Sequence, residues 1–216
     1  MDFVEGEPEA LLLVEMSGVS EVDVRHKIDQ LKTRIDQSKL SYSFLLIENA
    51  EDQERVWAVR KAGLGLMMNV KGPAKPLPFV EDTAVAPEKL PQFVREFDRI
   101  VKDNGTSAGY YGHASVGCLH IRPLIDLTNQ EGIQRMESIA EDISDLVLEF
   151  GGSMSGEHGD GLVRSNFIEK MFGSILYKAF QDVKKTFDPQ KMMNPGKIVE
   201  SPPMVDNLRI QPDQRS

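Results

Sequence analysis

The chain has 216 residues, 40% of them hydrophobic and 27% charged, and a net charge of −9. This length suits one well-packed domain. The negative charge argues against a surface for nucleic acid or anionic membrane, because no basic field offsets phosphates. The single cysteine excludes an internal disulfide. We find no signal-peptide pattern and no apolar run long enough for a transmembrane segment, so the expected location is cytoplasmic.

Apolar patterns predict strands and helices in alternation. Short apolar runs predict strands at residues 9–16, 43–47, 79–85, 108–113 and 118–123. Ser20 is a predicted N-cap for a helix with an apolar stripe at Val24, Ile28, Leu31 and Ile35. Further helices are predicted at residues 52–69, 87–104 and 131–150, with one or two more ending at 187.

This order predicts an α+β fold, ferredoxin-like, with a mainly antiparallel sheet, helices on one face and additional C-terminal helices. A doubly wound dinucleotide fold is disfavoured, because Gly63-Leu64-Gly65 lies within a predicted helix and fails the glycine fingerprint. Residues 1–200 are predicted to form the domain. Residues 201–216 carry three prolines without apolar periodicity and are predicted to be a linker or disordered tail.

Three of the four histidines lie in glycine-rich segments. His113 and His120 are seven residues apart, and a turn between them allows two antiparallel strands to bring their imidazoles together. Glu157 and His158 lie in a Gly/Ser-rich loop at 153–161. Two histidines and one carboxylate, with an open coordination position, are typical of a catalytic divalent-metal site. The alternative interpretation is ordinary hydrogen-bonded histidines and a solvated glutamate.

Two arginines are candidate ligands for a substrate carboxylate. Arg60 occupies an otherwise apolar helix stripe, where it either extends toward solvent from the stripe edge or awaits an anionic ligand. Arg122 follows His120 by two residues and therefore projects from the same strand face.

Several motifs, taken in order, resemble the C-terminal domain of FAD-linked oxidases of the vanillyl-alcohol-oxidase type. This family includes D-lactate dehydrogenase, D-2-hydroxyglutarate dehydrogenase and the flavin subunit of glycolate oxidase. The motifs are Gly112-His113 to His120, Ser155-Gly156-Glu157-His158-Gly159-Asp160-Gly161, Phe187-Asp188-Pro189 and Asn194-Pro195-Gly196-Lys197. The resemblance extends from about Glu9 to Val199.

The resemblance implies an FAD-dependent oxidation of a D-2-hydroxy acid to the 2-oxo acid, with hydride transfer to the flavin. The FAD is held mainly by a domain absent from this chain, so the chain alone is expected to be inactive. His113, His120 and Glu157 are the implied ligands of a divalent, zinc-like metal. His158 is the implied catalytic base.

The resemblance also assigns Arg60, in its Trp57-x-x-Arg60 setting, to the substrate carboxylate, and Asn194 to the flavin. Residues 194–209 look like those of large bacterial members that continue into an iron–sulfur domain. Met1 would then be a boundary inside a longer protein, and an electron acceptor would give peripheral contact with the inner membrane.

One departure from the family concerns the segment between the two histidines. Most members have Gly-Asp-Gly-Asn there, whereas this chain has Ala114-Ser115-Val116-Gly117-Cys118. Polar residues that can contact substrate are therefore lost, although the histidine spacing is kept.

The alternative functions for the chain are a metal-dependent hydrolase and a non-catalytic interaction module.

Overall fold

The computed structural model describes residues 4–210 and residue 212. The chain divides into two compact units, residues 1–62 and 63–216. Helix α1 (Glu21–Ser38) lies in the first unit, and the division falls within α2 (Ala50–Met68). The second unit contains β1 (Lys75–Pro76), β2 (Thr83–Ala84), α3 (Leu90–Asp103), β3 (Ala108–His113), β4 (Cys118–Ile125), α4 (Gln130–Glu149), α5 (Gly161–Arg164) and α6 (Ile168–Phe187). Short 3₁₀ helices occupy Pro87–Lys89, Ala114–Val116 and Ser165–Phe167.

In the first unit the predicted helices are confirmed, whereas the predicted strands are not. The Ser20 hydroxyl accepts a hydrogen bond from the Asp23 N–H at 3.2 Å and caps α1 as predicted. The strands predicted at 9–16 and 43–47 are wrong, since the described residues before α2 contain no strand. An apolar run becomes a strand only where a neighbouring strand takes up its backbone hydrogen bonds, and the run at 11–14 stays exposed.

In the second unit, β4 is the central strand of a four-stranded sheet in which every pairing is antiparallel. β3 pairs with β4 over six residues, with Tyr111 opposite His120. β1 and β2 pair with β4 along its other edge. This arrangement confirms the α+β prediction. The strand predicted at 79–85 is shorter than expected, because Asp82 has a left-handed φ of 78° and interrupts the extended backbone.

Helices α3 and α4 supply most of the core beside one face of this sheet. Phe93 and Phe97 of α3 are fully buried, with ring centroids 5.9 Å apart. From β4, Ile121 and Ile125 join the same core. The apolar stripe of α4 and its C-cap residue is buried throughout and consists of Ile133, Met136, Ala140, Ile143, Val147 and Phe150.

The turn between β3 and β4 depends on Gly117. It has a φ of +73°, and a Cβ at this position would lie 1.8 Å from the carbonyl oxygen of Val85. Both the conformation and the space therefore require glycine. The turn brings His113 and Cys118 opposite each other across the hairpin.

The C-terminal part completes the second unit. α6 is interrupted at Gly173, where the backbone has a non-helical φ of 78°. Met204, in the predicted tail, is buried in the core, while the predicted domain division at residue 200 stays a prediction. No helix in the described ranges is long and apolar enough to cross a bilayer.

Candidate active site

Strand β4 presents two chemically different faces because its side chains alternate. Ile121 and Ile125 face the apolar core. The opposite face carries His120 and Arg122, as predicted, and both side chains are buried. The ring of Tyr111 lies against His120, with the centroids 4.9 Å apart.

The structure brings His113, His120 and Glu157 together. The Oε2 atom of Glu157 lies 3.8 Å from His113 Nε2 and 3.7 Å from His120 Nε2. One ligand atom from each of the three residues lies within 4.8 Å of the other two. His120 is buried, whereas the His113 and Glu157 side chains are about half exposed, so the group is accessible from one side. We call these three residues the histidine–glutamate cluster.

His158 lies beside this cluster. Its imidazole stacks on His120 with a centroid separation of 4.9 Å and an interplanar angle of 10°. Its backbone N–H donates to Asp82 Oδ2 at 2.7 Å. The ring and the backbone of His158 are thus held separately, which fixes the side chain beside the cluster.

Asp82 anchors the loop that carries Glu157 and His158. Its fully buried carboxylate also accepts hydrogen bonds from the Glu157 N–H and the Ser155 hydroxyl, each at 3.0 Å. Burial alone would raise the pKa of Asp82, but the N–H groups of His158 and Glu157 hold it below its ordinary value. Because these donors occupy the carboxylate, Asp82 is a poorer metal ligand than Glu157.

The sequence analysis missed the acidic pair Glu81-Asp82 and also missed Arg164, whose guanidinium supports the backbone at Glu81. Glu81 Oε2 lies 2.6 Å from Arg122 Nη2, and both side chains are buried. The Arg164 guanidinium donates to the backbone carbonyls of Glu81 and Gly159. The available signal was two adjacent carboxylates in the otherwise uncharged segment 79–85, since buried charges are rare unless they are paired.

The pKa values of the buried His120 and the buried Cys118 are shifted in opposite directions. Burial, followed by the neighbouring His158, lowers the pKa of His120, which favours the neutral imidazole that metal coordination requires. Burial and the carboxylate of Asp82 raise the pKa of Cys118 to about 12. The thiol therefore stays protonated at neutral pH and is a weak nucleophile.

Comparison with known proteins identifies the family. A family model described as "FAD linked oxidases, C-terminal domain" matches residues 2–198. The chain belongs to this family. The resemblance inferred from the histidine and glycine-rich motifs is thereby confirmed.

Named relatives of this FAD-linked oxidase domain include proteins called D-2-hydroxyglutarate dehydrogenase and D-lactate dehydrogenase. The chain is 35% identical over 194 residues to D-2-hydroxyglutarate dehydrogenase from Haemophilus influenzae, covering 87% of this chain and 19% of the relative. It is 38% identical over 188 residues to the Pseudomonas putida enzyme of the same name, covering 86% and 18%. A D-lactate dehydrogenase from Archaeoglobus fulgidus is 29% identical over 198 residues, covering 91% and 41%. The chain thus spans about a fifth of the length of the first two relatives.

Two residues expected from the family resemblance lie outside the histidine–glutamate cluster. Arg60 is a partly buried residue of α2 in the first unit. Asn194 lies in an exposed loop after α6, with a left-handed φ of 47°. Their assignments to substrate and flavin stay predictions.

Proposed function

We propose that this chain is the substrate-side domain of an FAD-dependent dehydrogenase that oxidises a D-2-hydroxy acid to the 2-oxo acid. The observation that carries the proposal is the meeting of His113, His120 and Glu157 beside His158 in an FAD-linked oxidase domain. The substrate class is supported by the relatives, which are named for D-2-hydroxyglutarate, D-lactate and glycolate.

The histidine–glutamate cluster is the proposed holder of a divalent, zinc-like cation. Two imidazoles and one carboxylate suit zinc and leave one coordination position open. Ligand atoms around a tetrahedral zinc ion are separated by roughly 3.3 Å. The Glu157 oxygen lies 3.7–3.8 Å from the two Nε2 atoms, so only a small approach of the ligands is needed. The donor set therefore fits the cation.

His158 is the proposed base that accepts the hydroxyl proton of the substrate. A bound divalent cation supplies Lewis acidity that favours loss of this proton, and FAD supplies the hydride acceptor. An imidazole is suited to proton transfer near neutral pH. Stacking on His120 and the hydrogen bond to Asp82 keep His158 in place, so little reorientation is required before the proton moves.

Arg122 and Arg60 are the proposed ligands of the substrate carboxylate. Arg122 has five N–H donors in a planar group, and Glu81 contacts it at Nη2. Arg122 projects from the same strand face as His120, and Glu81 contacts both Arg122 and the proposed base. The proposal for Arg60 rests on its Trp57-x-x-Arg60 setting.

The remaining partners belong to the parent protein. FAD is proposed to be held mainly by a flavin-binding domain of the same parent chain, with Asn194 against the flavin. An iron–sulfur domain is a further proposed partner in the same parent chain, as in the large bacterial members that residues 194–209 resemble. A cytoplasmic location, with any membrane contact made through the electron acceptor, completes the proposal.

The proposal is tested with the flavin-loaded protein that contains this chain. D-2-hydroxyglutarate, D-lactate and glycolate are added anaerobically, and at least one is expected to bleach the flavin absorbance. His158→Ala is expected to lower kcat and kcat/KM together by roughly 10²–10⁴-fold, because the proton is transferred in the transition state. His26→Ala is the matched control, since His26 is an exposed histidine of α1.

Chelation and metal addition test the cation separately. A chelator is expected to abolish turnover, and zinc is expected to restore it in the wild type but not in a His113→Ala, His120→Ala double variant. The chain without flavin is expected to be inactive toward hydroxy acids. Ester or amide hydrolysis by the chain alone would instead support a metal-dependent hydrolase, and normal turnover of His158→Ala would remove His158 from the mechanism.

A further inference from the structure

Glu81 is a buried carboxylate that faces two groups of the site at once. Its Oε1 atom lies 3.5 Å from His158 Nδ1, and its Oε2 atom lies 2.6 Å from Arg122 Nη2. Its side chain is 9% exposed. Burying a carboxylate is costly unless partners compensate for lost hydration, and Arg122 provides that compensation. Glu81 is therefore fixed by Arg122 while its second oxygen faces the imidazole.

The backbone of Asp82 explains how two consecutive carboxylates reach the same histidine. In an extended strand, neighbouring side chains point to opposite faces. The left-handed φ of 78° at Asp82 interrupts this alternation. As a result, Asp82 accepts a hydrogen bond from the His158 N–H, while Glu81 faces the His158 ring. Asp82 therefore holds the backbone of His158, and Glu81 faces its side chain.

The contact with Glu81 distinguishes the two ring nitrogens of His158. A carboxylate accepts a proton donor, so Glu81 favours the tautomer of the neutral ring with its proton on Nδ1. The lone pair is then on Nε2. Asp82 Oδ1 is farther from Nδ1, at 3.9 Å, and its carboxylate is already engaged by the loop N–H groups.

We infer that Glu81 is a positioning residue that holds His158 in the Nδ1–H tautomer, leaving Nε2 to accept the substrate proton. The inference rests on the proposed function for the role of His158 as base. Glu81 also ties this ring to Arg122, so the proton acceptor and the proposed carboxylate ligand are held in a fixed relation through one side chain. Glu81 itself acts through His158 and Arg122.

The first test measures the tautomer directly and needs neither flavin nor turnover. Histidine labelled with ¹⁵N is incorporated into the chain, which has four histidines, and the His158 signals are assigned by their loss in His158→Gln. Nδ1 is expected to be protonated and Nε2 unprotonated in the wild type. Glu81→Met, which keeps the length of the side chain but removes the acceptor, is expected to move the proton toward Nε2. An unchanged tautomer would overturn the inference.

The second test separates positioning from folding in the flavin-loaded protein. Glu81→Met is expected to lower kcat by about 10- to 100-fold through His158, and to raise KM through loss of the contact that holds Arg122. Glu81→Gln is expected to recover only part of this loss, because its single amide oxygen can face either Nδ1 or Arg122, whereas the carboxylate faces both. In a His158→Ala background, Glu81→Met is expected to cause no further loss of kcat, whereas equal losses in both backgrounds would indicate a structural role.

Two further measurements keep the outcomes distinguishable. Lys170→Met is the control for the loss of an ion pair, since Lys170 of α6 contacts Asp145 of α4 at 2.8 Å. The kcat of this variant is expected to be unchanged. If Glu81→Met does not fold, Glu81→Gln replaces it in the tautomer measurement with a smaller expected shift. If no 2-hydroxy acid is oxidised but the tautomer changes as expected, the proposed function fails and the positioning role of Glu81 stands.

Discussion

The two units of the chain use their apolar residues differently. In the first, no described residue from 4 to 62 is buried, and Leu12 is 84% exposed. In the second, α3, α4 and β4 bury a continuous core that includes Phe93 and Ile143. The overall hydrophobicity of a segment therefore does not decide whether it has a core. What decides it is whether a second layer covers the apolar face.

The same contrast applies to polar groups. In the first unit, the charged pair of Arg25 with Glu48 has both side chains more than half exposed. In the second unit, Arg122 and Glu81 form their pair on a face of the sheet where both are buried. Exposed pairs contribute little free energy, whereas removing one partner of a buried pair is strongly destabilising. The second unit can therefore hold a fixed site.

Replacing one buried aromatic residue gives the largest expected difference between the units. Phe93→Ala is expected to lower the free energy of unfolding by about 3–5 kcal/mol, because it leaves a cavity among Phe97, Phe150 and their neighbours. Leu12→Ala, the matched change in the first unit, is expected to alter it by less than about 0.5 kcal/mol. Urea unfolding followed by circular dichroism measures both. Equal losses would contradict the contrast drawn here.

A smaller effect is expected for Asp82, and it concerns the dependence of folding stability on pH in the acid range. Its folded-state pKa lies below the unfolded value of about 3.9, so its contribution is present above that pH and is lost as pH falls through the folded-state pKa. Asp82→Asn is expected to cost about 2 kcal/mol at pH 7, because charged hydrogen bonds to the loop are lost. The variant should also show a flatter decline in stability below about pH 4.

Asp23 in the first unit provides the comparison for this measurement. Its pKa is also lowered, first by the hydrogen bond from Lys27, but it lies on the surface. Asp23→Asn is therefore expected to leave the acid limb of the stability curve nearly unchanged. A parallel shift in both variants would mean that burial of Asp82 adds nothing to the effect.

The smallest expected difference comes from two helix caps of similar chemistry. The Asn129 side chain accepts from the Gly132 N–H at 2.8 Å and caps α4, as Ser20 caps α1. Either alanine substitution is expected to cost its helix about 1 kcal/mol. Asn129→Ala should lower the global free energy of unfolding, because α4 lies in the core. Ser20→Ala should increase amide hydrogen exchange within α1 alone, and a global effect of that change would be evidence against the comparison.

The sequence predicts elements most accurately where local signals and burial agree. Predicted helices at 52–69 and 131–150 correspond to Ala50–Met68 and Gln130–Glu149. The β3–β4 hairpin was predicted from two strand-like segments separated by a short turn between His113 and His120. The strands at 9–16 and 43–47 were wrong, since an apolar run carries no information on whether a pairing partner exists.

The residues of the candidate site also differ in how well the sequence predicts them. The meeting of His113 and His120 follows from a local hairpin, so their spacing was informative. The hydrogen bonds that Asp82 accepts from the loop span 73–76 residues of sequence, and no local pattern reports such a distant contact. Motif resemblance supplied the roles of Glu157 and His158, but not the acidic pair that holds them. Long-range polar contacts are therefore the part that single-sequence reasoning misses.

The turn between the two histidines restricts how this protein can change in evolution. Inserting or deleting one residue there would shift β4 by one position against β3 and move His120 to the helix-covered face, because strand side chains alternate. Changes of residue type at 114–116 do not have this effect. Natural variation in this turn is therefore expected to alter chemical character and to preserve length.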